Sequence, residues 1–296
     1  MSTTTSLKPC KLKRVIEPQH VLEGAGVLLR RSFGPNRANL FDPFLLFDHF
    51  AFNDPNEGPL RGFPTHPHRG IETVTYMLEG NVRHRDSIGN TGLIGPGDVQ
   101  WMTSGRGILH EEMPARSPEG RVLGFQLWVN LPAARKMSRP GYQEVKANDI
   151  PVIEAEGARV RLVAGEYRGH HGPVTGIAAR PLYMDVTLEP GATFRQPVVS
   201  GHSPITYLFE GEAWFGPEDQ GGDFLHALKM LIFEPGDFLC VQARKSSGVR
   251  FMLMAGAPFK EPIFPYGPFV MNTQAEIEQA LHELRNGTFV QNSPAR

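Results

Sequence analysis

The sequence predicts an all-β chain of two similar domains in tandem, and three observations carry that prediction. Gly and Pro are abundant, at 32 and 26 of 296 residues, and they fall in short clusters between runs of β-branched and aromatic residues. Many short strands joined by tight turns require that punctuation. The second observation is an internal repeat, in which Thr75-Tyr76-Met77-Leu78-Glu79-Gly80 matches Thr206-Tyr207-Leu208-Phe209-Glu210-Gly211. Further on, Leu93-Ile94-Gly95-Pro96-Gly97-Asp98 matches Leu231-Ile232-Phe233-Glu234-Pro235-Gly236-Asp237, again in the same order. Each copy ends in an apolar run, Val122 to Leu131 and Val249 to Ala255. The repeat is far longer than a solenoid unit, so it marks two domains. We place them at 1–140 and 141–296, with the charged stretch Pro132 to Asp149 as the connection. The third observation is that helix is scarce. One short helix is predicted near the carboxyl end, where Thr273 and Glu276 stand at capping-box spacing before Ile277, Ala280, Leu281 and Leu284, and Gly287 stops it. Its apolar stripe should pack on a sheet.

Composition excludes several classes of function. Thirty Lys and Arg balance 31 Asp and Glu, which removes any overall electrostatic reason to bind nucleic acid directly or a membrane surface. Cys10 and Cys240 are too few for a disulfide framework or a four-thiolate zinc site, and a reducing compartment is expected. No apolar stretch reaches the roughly 18 residues of a membrane span, and the polar Met1 to Lys8 has no signal-like core. A soluble, cytoplasmic protein is the expectation, and a monomer, because two barrels can cover one another's sheets within one chain.

The chemistry concentrates in four residues of the first domain. On a strand, side chains alternate faces, so His66 and His68 share one face and Pro67 and Arg69 the other. The same rule pairs His110 with Glu112 rather than with Glu111. Two such pairs on neighbouring strands can converge on one divalent ion. Imidazole and carboxylate without thiolate suit non-haem Fe(II), Mn, Ni, Co, Cu or Zn, and an octahedral ion held by four protein groups keeps two positions open. Extended alternation also carries Glu72 inward with Val74 and Tyr76, so spacing leaves both Glu72 and Glu112 open as the carboxylate. In the second domain the counterparts of His66, His68 and Glu72 are Pro197, Val199 and Ser203, so that copy lacks the ligand set. The histidines at 170, 171, 202 and 226 read as surface or structural. His20, His49, His84 and His282 are read as having no ligand-like partner at short spacing, with His49 alone expected to be buried.

These residues also carry a family resemblance. Asp42-Pro43-Phe44-Leu45-Leu46-Phe47-Asp48, His66-Pro67-His68-Arg69-Gly70, Gln100-Trp101-Met102-Thr103, Gly105-Arg106-Gly107-Ile108-Leu109-His110, Gln126-Leu127-Trp128-Val129-Asn130-Leu131 and Gly267-Pro268-Phe269-Val270-Met271-Asn272-Thr273 resemble the pirin family of the cupin superfamily. The resemblance runs over nearly the whole chain. It implies two cupin barrels of double-stranded β-helix, or jelly-roll, form, with one metal ion, usually iron, in the first. It also implies the ligands His66, His68, His110 and Glu112, which decides against Glu72. The implied activity is quercetin 2,3-dioxygenase-like cleavage of a flavonol with dioxygen, in which Glu112 doubles as general base. The alternative is a non-catalytic iron-binding regulator whose metal state controls a protein partner. Phe52, Phe63, Val74, Met102 and Trp128 are candidate apolar walls for a flat substrate. Arg69 and Arg106, if they formed a shared basic rim, would favour an anionic ligand or an acidic partner.

Overall fold

A computed structural model describes residues 7–52, 61–217 and 222–291, and it shows two compact β units whose chain segments are exchanged at the ends. One unit combines Met1–Pro18 with Ile150–Pro258; the other combines Gln19–Asp149 with Phe259–Arg296. The simple division at 140/141 is therefore corrected on both sides. The first strand, β1 (Leu12–Ile16), pairs antiparallel with Lys229–Phe233, so it completes a sheet of the second copy. Residues 141–149 stay with the first copy, because Gly141–Val145 runs in register with Val99–Thr103. Backbone hydrogen bonding, which composition does not report, sets both assignments.

The unit containing His66, His68 and His110 holds two large sheets and the small pair Phe264–Tyr266 and Phe269–Met271. After β2 (Gln19–Glu23), β3 (Val27–Phe33), β4 (Phe44–Phe52) and β5 (Phe63–His68) come β6 (Ile71–Glu79), β7 (Asn81–Asp86), β8 (Thr91–Ile94) and β9 (Val99–Thr103). They are followed by β10 (Ile108–Ala115), β11 (Val122–Asn130), the short helix α1 (Ala133–Lys136) and β12 (Gly141–Val145). One sheet has the order β12-β9-β6-β11-β4-β3-β2, the other β5-β10-β7-β8, and every pairing is antiparallel. Burial alternates along β7, where Val82, His84 and Asp86 are buried while Arg83 and Arg85 are exposed. The core of this unit includes Val27, Leu29, Phe50, Met77, Val82, Ile94 and Val122.

The repeat survives as geometry at its first turn and diverges at the second. Gly80 and Gly211 both adopt left-handed backbone, with φ of +74° and +76°, which a side chain would disfavour. Gly97 is also left-handed, at +80°, and Asp98 Oδ2 accepts from the Gly95 amide at 2.9 Å. In the second copy Asp237 Oδ2 accepts from Lys8 at 2.7 Å, and a Cβ at Gly236 would stand 2.6 Å from the Cys10 amide nitrogen. The exchanged amino-terminal segment has reshaped that turn.

The carboxyl-terminal helix α2 (Gln274–Arg285) forms as its sequence prescribes. Thr273 caps it, both arms of the capping box with Glu276 are made, and Gly287 follows with φ +70°. Ile277 and Ala280 are buried with Phe269, Met271 and Phe289, and Leu109 of β10 packs against this cluster. Among the described residues no helix is long and apolar enough to cross a membrane.

Candidate metal centre

Strands β5 and β10 bring the histidines together. His110 lies directly opposite His66 in the antiparallel register, and His68 lies opposite Ile108. Ring centroids are 4.3 Å apart for His66 and His110, 4.9 Å for His66 and His68, and 5.0 Å for His68 and His110. One nitrogen from each of the three falls within 4.8 Å of the others, close enough to share an ion. The register then shifts between His110 and Glu112, which leaves Glu112 opposite Phe63 on one side and His84 on the other.

The surroundings of each imidazole leave a ring nitrogen able to bind a metal. His66 Nδ1 lies 2.9 Å from the Pro64 carbonyl, and His68 Nδ1 lies 3.1 Å from the Pro268 carbonyl. A carbonyl only accepts, so both rings carry their proton on Nδ1 and keep the Nε2 lone pair free. His110 is buried, and neither of its ring nitrogens has a hydrogen-bond partner. A buried ring nitrogen without a partner is costly unless something else satisfies it, and a cation held at this cluster would satisfy the one that carries the lone pair. Burial, with the neighbouring His66, pushes His68 down to about 3. Burial and then His68, His66 and His84 hold His110 well below the ordinary imidazole range, so both rings are neutral at pH 7 and able to donate to a metal. The donor set fits one divalent ion of intermediate softness.

The carboxylate of Glu112 is fixed by two donors. Thr75 Oγ1 donates to Oε1 at 3.1 Å, and Gln126 Nε2 lies 3.3 and 3.0 Å from Oε1 and Oε2. Glu112 also joins a second close group with His110 and His84, all three buried. His84 is thus a residue that the sequence reading passed over. A signal was present, because Asp86 stands two residues on, at the spacing used for the other pairs. His84 Nε2 is 3.3 Å from Asp86 Oδ2, and its Nδ1 is 3.2 Å from Gln100 Nε2.

Glu72 is corrected. The alternation extrapolated from His68 breaks at Gly70, whose φ is +81° and whose Cβ would lie 2.3 Å from the Val270 carbonyl oxygen. That bend resets the register, so it is Thr75 and not Glu72 that faces Glu112. The Glu72 carboxylate accepts from Thr103 Oγ1 at 2.9 Å, and it belongs to neither close group. The shared basic rim is also absent. Arg69 is 1% exposed, pairs with Glu283 of α2 and lies over the Phe289 ring, while Arg106 donates to the Gln291 carbonyl. Among the described residues no comparable His, Cys, Asp or Glu group occurs in the second copy.

His66 and His68 open onto a cavity of about 480 Å³ whose walls include Leu29, Leu46, Phe63 and Trp128. The Trp128 ring meets His68 edge-on at 5.1 Å. Of the other candidate walls, Val74 and Met102 are fully buried and do not line this cavity, and the Phe52 side chain lies outside the described residues. Polar groups stand at one side, where Arg31 grips Asp48 with two hydrogen bonds of 2.9 and 2.8 Å. The carboxyl-terminal segment supplies Pro265, Gly267 and Pro268 to the same cavity.

Two family models match this chain, Pirin over residues 26–129 and Pirin C-terminal cupin domain over residues 183–290. The chain belongs to the pirin family. It is 44% identical over 278 residues to a pirin-like protein of Caulobacter vibrioides, covering 93% of this chain and 98% of that one. Human pirin is 43% identical over 265 residues, covering 89% and 88%. Among solved structures, a quercetin 2,3-dioxygenase from Acinetobacter baumannii superposes with a TM-score of 0.85 at 35% identity, covering 96% of this chain and all of that one. Two cupin domains with a short terminal helix are therefore the architecture of this pirin, as expected from its sequence, and the histidine and glutamate cluster sits in the first of them.

Proposed function

We propose that this pirin is a metal-dependent dioxygenase that opens the heterocycle of a flavonol, in the manner of quercetin 2,3-dioxygenase. The observation that carries the reading is the placement of His66 and His68 in the wall of a cavity with aromatic and aliphatic sides, large enough for a bicyclic or tricyclic ring system. The likeness to a quercetin 2,3-dioxygenase at 35% identity supports it. His66, His68, His110 and Glu112 are the proposed ligands. When bound, a divalent metal, with iron(II) the first choice, supplies the positive charge and redox capacity that bring an electron-rich enolate and dioxygen to reaction.

The chain's own residues do the rest. Phe63 and Trp128 bound the slot in which the flat ring lies, and exclude water from its face. Glu112 accepts the proton of the substrate's 3-hydroxyl at a carboxylate oxygen, which raises the electron density of the ring that is to be cleaved. Thr75 and Gln126 keep that carboxylate from rotating, so the proton acceptor stays in place without reorganisation. Asp48, held by Arg31, and Gln126 offer polar contacts for further hydroxyl groups.

Aerobic incubation of the iron-loaded protein with quercetin tests the reading. The flavonol absorbance should bleach with release of carbon monoxide, and His66→Ala should abolish both. Equal behaviour of the two proteins would sink it.

A further inference from the structure

A row of rings leads from His110 towards the surface, and none of its members lines the large cavity. The His84 ring lies 5.3 Å from that of His110 and 5.1 Å from that of Tyr142, centroid to centroid, so three π systems stand in sequence. His84 and His110 are buried and Tyr142 is half-buried. Strand β12 builds the outer end of the row. Tyr142 and Glu144 stand two residues apart on it and share a face, and the phenol donates to Glu144 Oε2 at 2.6 Å, the short distance of a bond to a charged acceptor. Gly92 of β8 makes room for the pair, because a Cβ there would collide with the Tyr142 oxygen and with Glu144 Oε2. Glu144 in turn pairs with Lys146, whose side chain is half-exposed.

This arrangement equips Tyr142 to lose an electron. Burial, then the neighbouring Glu144 carboxylate, raises the phenol well above its ordinary range, so the proton stays on oxygen at neutral pH. A phenol gives up an electron with difficulty unless its proton leaves at the same time, and Glu144 is placed to take that proton. Rings in contact pass an electron far more readily than saturated chain does. His84 fills the gap between Tyr142 and His110.

We propose that Tyr142 is an electron donor to the metal centre, through His84 and His110, and that it draws oxidising equivalents away from the ligands when the centre meets a peroxide. Hydrogen peroxide takes up two electrons and two protons to become two waters. Iron(II) at the centre supplies one electron and becomes iron(III), and Tyr142 supplies the other. The Tyr142 proton moves to Glu144, leaving a neutral phenoxyl radical and a carboxylic acid, while solvent supplies the two protons of the waters. A reductant in solution, such as ascorbate, returns the electron to the half-buried ring and Glu144 returns the proton. The inference rests on the metal ligands proposed above and is independent of the organic substrate that the cavity takes.

Electron paramagnetic resonance of the iron(II)-loaded protein, frozen after treatment with hydrogen peroxide, tests the proposal once the iron content has been measured. An organic radical signal should form in the wild type, narrow when its tyrosines are ring-deuterated, and be lost in Tyr142→Phe. Glu144→Gln, which keeps the shape and removes the carboxylate, should reduce it several-fold. Zinc-loaded wild type should give no signal, because zinc has no redox change to offer. Mass spectrometry after the same treatment should find more oxygen added to His84 and His110 in Tyr142→Phe than in the wild type. A wild type that holds iron yet forms no tyrosine radical overturns the proposal, and so does a radical undiminished in Tyr142→Phe. Should Tyr142→Phe not fold, an undiminished radical in Glu144→Gln has the same force. A wild type that takes up no iron removes the metal centre itself and the proposal with it.

Discussion

His68 Nδ1 donates to the carbonyl oxygen of Pro268 at 3.1 Å, across 200 residues of chain. The returning carboxyl-terminal segment thus orients an imidazole of the first cupin domain. The segment is tied down by α2, where Glu283 pairs with buried Arg69, the residue next to His68. Glu283→Ala lies outside the proposed ligand set, yet it should weaken metal binding roughly tenfold, as removal of ligand-orienting partners commonly does. Competition with a chromophoric chelator measures it. Unchanged affinity would show that the segment does not govern the site.

Lys136 is a second anchor of the same bend. Its ammonium is buried and donates to the carbonyls of Gly70 and Val270 and to Asn130 Oδ1, at 2.8, 2.7 and 2.7 Å. Three donors meet three acceptors. Lys136→Met would leave all three acceptors buried and unpaired, so we expect a loss of about 3 kcal/mol or more in stability, read from the denaturant midpoint. Lys136→Arg should not restore it, because a planar guanidinium does not fit three convergent acceptors.

Glu72 and Glu112 should separate cleanly in metal analysis. Glu112→Gln is expected to reduce the bound metal sharply, and Glu72→Gln to leave it unchanged. The reverse result would make Glu72 the ligand in place of Glu112 and overturn the register argument at Gly70.

Glu72 should show itself instead in the pH dependence of stability. Burial pushes its carboxyl up to about 7, with Thr103 and Trp101 opposing. The folded chain therefore keeps a proton there that the unfolded chain releases near its ordinary value of about 4.3. Stability from this group is complete below the unfolded value and is lost as pH rises through about 7, by roughly 3 kcal/mol at the upper end. Denaturation of the wild type across pH 4 to 8 should show that decline, and Glu72→Gln should lack it. Parallel curves would mean that Glu72 is ionised at little cost.

His84 is expected to matter although it was not read as a ligand. It is held between Asp86 and Gln100 and faces Glu112 across β7 and β10. His84→Ala should lower metal affinity by roughly 10- to 100-fold through loss of this support. Chelator competition against wild type checks it, and full affinity in the variant would reduce His84 to a core residue.

The parts of the site that lie on one strand were legible because a strand's period is two. His66 with His68, and His110 with Glu112, follow from alternation, and so does the choice of Glu112 over Glu111. Alternation failed where the strand ended. Glu72 was misplaced because Gly70 takes a left-handed turn under the Val270 carbonyl, and no local pattern announces that contact. His84 was missed although His84 and Asp86 have the right spacing, since its relevance depends on β7 lying beside β10. Arg69 looked like a rim residue by charge, and is buried because Glu283 and Phe289 come back to meet it.

What the sequence determined by itself was local and periodic: two β copies from matching turns, a capped terminal helix, a first copy with the His and Glu cluster and a second copy whose counterparts of His66, His68 and Glu72 are Pro197, Val199 and Ser203. Tertiary structure decided which segments complete each unit, that the carboxyl-terminal segment orients His68, and that His66 and His68 open onto a cavity. The physical reason is range. Turn chemistry and side-chain alternation act over a few residues, whereas register, burial and cavity shape depend on strands and segments that meet only when the chain has folded.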